Sequence, residues 1–187
     1  MKIIFVLLVA VASLLLGISF TDGFSELENT YVNEKCGVSI QYPADWTVEE
    51  SKYASDDVGK TIAHIQSEDN DIYLLDVSIQ NLGLSKYSIE DIAEETGFET
   101  LLPDSELVHS EIGQINGFPS YQMIYTDVLD EGLKFYRSHF LIIAYDREYR
   151  VNFDESDKAE FDKYSSIVEE MANSIKITKP NFEGVNC

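Results

Sequence analysis

Asn116-Gly117 is the pair of residues that most constrains how this chain can fold. It stands between ELVHSEIGQI (106–115) and FPSYQMIYT (118–126), where Tyr121, Met123 and Tyr125 alternate with Gln122 and Thr126. Asn-Gly suits the two positive-φ positions of a type I′ turn, and alternation with period two marks a strand with one buried face. The two runs therefore fold back on each other as an antiparallel hairpin. A lone hairpin is marginal in water, so further strands or a helix must cover it.

Other segments supply them. Val38, Ile40 and Tyr42 alternate with Ser39 and Gln41. Pro43 then removes the next ladder donor and ends the strand. Ala44-Asp45 turns the chain, and Trp46-Thr47-Val48 begins another strand, with Trp46 plugging the core at the corner. TIAHIQ (61–66) and DIYLLDVSIQ (71–80) read as a hairpin whose second arm is apolar on both faces, and so central. After a turn at Asp130-Glu131-Gly132, FYRSHFLIIAY and REYRVNF make a third hairpin around Asp146.

Two helices are legible. Ser88 caps SIEDIAEETG, whose stripe is Ile89, Ile92, Ala93 and Thr96, and Gly97 stops it. From about Lys158 to Ser174, Phe161, Tyr164, Val168, Met171 and Ile175 recur at helical spacing behind a capping box of Asp157 and Glu160. Ile175-Lys176-Ile177 adds a short last strand. The class is α+β, an antiparallel sheet with helices packed on it.

The N-terminus, MKIIFVLLVAVASLLLGISF, has one lysine, an apolar run from Ile3 to Leu16, and then Gly17 and Ser19. That is the order of a secretory signal, with cleavage after Ser19 and a retained anchor as the alternative. We assign 1–22 to this segment and 23–187 to a single domain; linker-like tracts and internal repeats are absent from the sequence. The expected location is extracytoplasmic, secreted or tethered to the outer face of the cytoplasmic membrane.

Charge narrows the partners. Asp and Glu number 34 against 13 Lys and Arg, a net charge of -21. Phosphate backbones need a concentrated cationic surface, so nucleic acid is excluded, and direct binding to anionic lipid is disfavoured. Export favours pairing of the two cysteines, Cys36 and Cys187. That bridge would close nearly the whole domain into one loop, worth at most about 5 kcal/mol.

Catalytic signatures are missing: there is no G-x-S-x-G and no glycine-rich phosphate loop. His64, His109 and His139 lie on separate strands without ligand spacing and read as ordinary strand residues. Calcium is the one candidate ion, with Glu68, Asp69, Asn70 and Asp71 in one turn and Asp127, Asp130 and Glu131 in another. Neither has the pattern of an EF-hand loop. Tyr136, Tyr145 and Tyr149 form a candidate docking patch near the ends of the third hairpin.

The order GVSIQYPADW, a central hairpin, SIEDIAEE, NGFPSYQMIYT and a closing helix running into SIKIT resembles the PsbP-like superfamily over about residues 25–178. Gly37, Tyr42, Pro43 and Trp46 match its opening pattern; Asn116, Gly117 and Tyr121 match its middle hairpin. Met171, Ser174, Ile175 and Lys176 match its end. The resemblance implies a sheet sandwiched by helices, the Mog/PsbP-like α/β/α fold. It also implies non-catalytic docking, and together with the export signal, the acidity and the expected disulfide it points to an exported domain that docks as an extrinsic accessory subunit on a membrane protein complex of the cell envelope. The alternative is a carrier or sensor for calcium or a small ligand.

Overall fold

Two antiparallel sheets and two helices account for the residues that the computed structural model describes, which are 26–51, 60–67, 75–81, 88–95, 105–129 and 132–180. The strands are β1 (Asn29–Asn33), β2 (Val38–Tyr42), β3 (Trp46–Glu50), β4 (Lys60–Ser67), β5 (Leu75–Asn81), β6 (Glu106–Ile115), β7 (Phe118–Val128), β8 (Lys134–Ala144), β9 (Arg147–Glu155) and β10 (Lys176–Ile177). The helices are α1 (Ile89–Glu95) and α2 (Lys158–Ser174). A seven-stranded sheet runs β3-β4-β5-β9-β8-β7-β6, and a three-stranded sheet runs β1-β2-β10.

Both tight hairpins obey their turn chemistry. Asn116 and Gly117 have φ of 50° and 84°, and Tyr145 and Asp146 have 54° and 59°. Positive φ at both central residues matches the twist of the strands they join. The Tyr-Pro-Ala-Asp-Trp corner does more than reverse the chain. β2 belongs to the small sheet and β3 to the large one, so Pro43 ends one ladder and the chain changes sheets. Trp46 N–H donates to the Pro43 carbonyl at 3.2 Å. Its buried indole meets Tyr164 of α2 edge-on at 5.7 Å.

The large sheet is covered on both faces. Tyr149, Val151 and Phe153 of β9 and Ile142 of β8, all 0% exposed, face α2, with Ile40 of the small sheet closing the same core. Phe153 stacks on Phe161 at 5.2 Å. Ile89 and Ile92 of α1 cover the other face over Tyr121, Met123, Tyr125 and Leu141. The expected sandwich of sheet between helices is the observed architecture.

The caps differ in detail from their sequence signatures. Ser88 and Asp91 form a reciprocal box: Asp91 N–H donates to Ser88 Oγ at 3.1 Å, and Ser88 N–H donates to Asp91 Oδ2 at 2.8 Å. At α2, Asp157 Oδ1 accepts from the Ala159 and Glu160 amides, but Glu160 turns outward to Lys163. Buried Glu155 accepts from the Asp157 amide instead, at 3.1 Å. A side chain arriving from β9 is already placed there, so Glu160 need not fold back.

Candidate functional site

Strand alternation on β8 sends Ser138, Phe140 and Ile142 towards α2 and Arg137, His139 and Leu141 to the opposite face. The register then sets Tyr125 of β7 and Asp154 of β9 on either side of Arg137, and Met123 and Asn152 on either side of His139. Arg137 Nη1 donates to Asp154 Oδ2 at 2.6 Å, and its Nη2 lies 3.5 Å from Asp127 Oδ2. Asp127 also accepts from Ser105 Oγ at 3.0 Å. His139 Nε2 approaches the other oxygen of Asp154 at 3.1 Å.

Tyr125 packs edge-on against the His139 ring at 5.2 Å. Burial pushes its phenol up to about 12, with the nearby Arg137 charge opposing the shift. One guanidinium thus holds two carboxylates, and one of these holds the imidazole. Such a network orients its members. Arg137 Nε and Asn152 Oδ1 are buried beside it and find no partner among the described residues.

The opposite face of the same strands has a shallow cleft of about 220 Å³ between the β6–β7 hairpin and α2. Glu111, Gln114, Gln122, Phe140, Glu169 and Asn173 line it. Beside it runs β6, the outer strand of the large sheet, whose free edge has no strand partner among the described residues. Val108 sits unpaired at a bulge in β6, with 62% of its surface exposed. Leu129 and Leu133 are exposed in the turn between β7 and β8, at the same end of the sheet.

The fold-signature residues have physical roles. Gly37 has φ 67°, and its carbonyl accepts from the Thr178 amide at 2.7 Å. A Cβ there would lie 2.3 Å from the Thr178 carbonyl oxygen, so only glycine lets the C-terminal strand close. Asn116 Nδ2 donates to the Asn173 and Ile175 carbonyls, tying the hairpin to the end of α2. Tyr42 is half-buried beside buried Pro43.

Of the expected cation ligands, Asp127 is engaged by Arg137 and Ser105, while Glu68, Asp69, Asn70, Asp71, Asp130 and Glu131 lie outside the described residues. Among the described residues no three His, Cys, Asp or Glu side chains converge as a metal site. His64 and His139 stand in one row three strands apart, roughly 14 Å, and His109 is on the outer strand. Cys36 is buried, and Cys187 lies outside the described residues. The tyrosine patch does not form. Tyr149 is 0% exposed with its hydroxyl on the Cys36 carbonyl, and half-buried Tyr136 packs beside Phe161, leaving only Tyr145 of the three exposed. Among the described residues no helix is long and apolar enough to cross a membrane. The expected export segment, residues 1–22, lies outside them.

Sequence reasoning missed the Arg137 network. Alternation along β8 puts His139 on the face of Arg137, but Asp154 joins them only through the register of β8 with β9. No family model matches the sequence, and neither does any curated protein. Solved structures do. Cyanobacterial PsbP (CyanoP) of Synechocystis superposes with a TM-score of 0.63 at 17% identity, covering 87% of this chain and 99% of that one. This is the PsbP-like fold. The Ran-binding protein Mog1p of Saccharomyces cerevisiae shares it at a TM-score of 0.51 and 10% identity, covering 80% of this chain and 94% of its own. LpqN of Mycobacterium tuberculosis, described as involved in cell envelope biogenesis, matches at 0.54 and 14% identity over 76% of this chain and 83% of its own.

Proposed function

We propose that this chain is an exported, non-catalytic accessory domain that docks on a membrane protein complex of the cell envelope. The observation that carries the reading is the apolar corner of the large sheet. There Val108, Leu129 and Leu133 are 62%, 37% and 52% exposed on a chain of net charge -21. Exposed apolar side chains at one end of the sheet, on a strongly acidic, self-repelling chain, favour contact with a partner there. The N-terminal export pattern supplies the compartment, and the fold it shares with CyanoP and LpqN supports an accessory role.

Export also favours a bridge between Cys36 and Cys187. Thr178, nine residues before Cys187, is hydrogen-bonded to Gly37, the neighbour of Cys36. A closed loop of this size adds up to about 5 kcal/mol in the chain-entropy picture. Non-reducing peptide mapping of protein secreted by its native host will recover the two cysteine peptides as one linked species.

Docking is tested by cross-linking in solubilised envelope with the wild type and a Val108→Asp/Leu133→Asp variant. All of the altered side chains are exposed, so the fold survives. A defined partner cross-links to the wild type and is lost from the variant. Identical cross-links from both proteins would remove the corner as the docking surface.

A further inference from the structure

We propose that the free edge of β6 takes up an extended basic segment of the partner as an additional strand, with a lysine or arginine side chain seated in the cleft between Glu111 and Glu169. This rests on the docking reading and names the chemistry of what docks.

The two faces of β6 differ. Register with β7 directs Glu106 and Glu111 to the α2 side, and Leu107 and Ile112 to the α1 side. A strand added outside β6 would lay its own alternating side chains beside these, so it must offer cations on one face and apolar groups on the other. Ile112, 47% exposed, awaits such an apolar neighbour. On the acidic side, the cleft has Phe140 among its lining residues, Gln122 and Asn173 as hydrogen-bonding residues, and Glu111 and Glu169 as its charges. The nearest basic group to Glu111 is His109, 3.8 Å away, and Glu169 has no ion pair among the described residues. A primary ammonium or guanidinium fits that lining.

The same charges select against a second copy of this chain. Pairing β6 with its own twin would set Glu106 and Glu111 against like charges on two molecules of net charge -21.

The probe is a capped heptapeptide alternating lysine and valine, titrated into the intact chain by calorimetry, with hydrogen exchange followed along 106–115. Two control peptides replace lysine by glutamate or N-methylate the valines, which keeps the charge and removes strand hydrogen bonding. We expect protection of β6 amides by the lysine peptide and no binding of the glutamate peptide. The N-methylated peptide, and the lysine peptide with the Glu111→Lys/Glu169→Lys variant, should each bind about tenfold more weakly. Both altered side chains are exposed, so that variant folds.

Equal affinity for the N-methylated peptide, equal affinity of the charge-reversed variant, protection confined to other strands, or dimerisation of the free chain through β6 would each overturn the proposal. Envelope cross-linking separates this failure from that of the docking reading. The same partner captured by wild type and Glu111→Lys/Glu169→Lys alike sinks the edge and spares docking. An empty wild-type capture sinks docking, whatever the peptide does.

Discussion

The two faces of the large sheet solve the problem of burial differently. Towards α2, rows of side chains from β8 and β9 meet the helix and the small sheet in a buried core. Towards α1, a seven-residue helix covers only a few apolar positions, and beside them Arg137, Asp127, Asp154 and His139 keep partial access to water. The better-covered face can be largely apolar. A half-covered one must place charges where they satisfy each other. Stability therefore belongs mainly to the first face, and chemical specificity to the second.

Phe153→Ala should break the comparison most sharply. It removes a fully buried ring stacked on Phe161, and we expect a loss of about 3–5 kcal/mol in urea unfolding. A loss below 1 kcal/mol would mean that the α2 face is not the main source of stability. Arg137→Met comes next, since it strands Asp127, whose side chain is only 9% exposed, for a cost of about 1–3 kcal/mol. Adding Asp127→Leu and Asp154→Leu to that variant should recover most of the loss, because the penalty lies in the orphaned charges and not in the missing bonds.

Ser88→Ala should cost about 0.5–1 kcal/mol, read as faster amide exchange confined to 89–95. The hydrogen bonds from Ser88 hold the Asp91 carboxyl below its usual range, so their support is present at neutral pH and fades as pH falls through that lowered value. Tyr125→Phe should be smallest at neutral pH and visible only in alkali. A phenol raised from 10.0 to about 12 in the folded chain loses its contribution as pH climbs through that window. Thermal melts of the variant should fall less steeply there. Burial also raises Tyr31 and Tyr149, so part of the slope remains.

Local signals in the sequence carried much of this fold. The Asn116-Gly117 turn, the Ser88 cap, the stripe of α2 and the alternation of β7 and β8 are each decided by neighbours within a few residues. β1 went unread because NTYVN buries one side chain, Tyr31, and so shows no alternation to detect. The tyrosine patch failed for a related reason: hairpin ends looked like surface, yet Tyr149 lies on the face that α2 and the small sheet cover. Of the candidate surface, the acidity and the exposed strand of Glu106 and Glu111 could be seen in advance. The cleft could not, since Glu111 and Glu169 come from elements far apart in the chain.

By itself the amino-acid order determined most of the strands, the two helices and the tight turns, because period, caps and turn residues act over one or two turns of backbone. Only the tertiary structure decided that the Pro43 corner passes between sheets, that Asp154 meets Arg137, and that β6 is left at the edge. Those outcomes depend on register and on which elements compete for the same apolar face, and residues distant in sequence settle both.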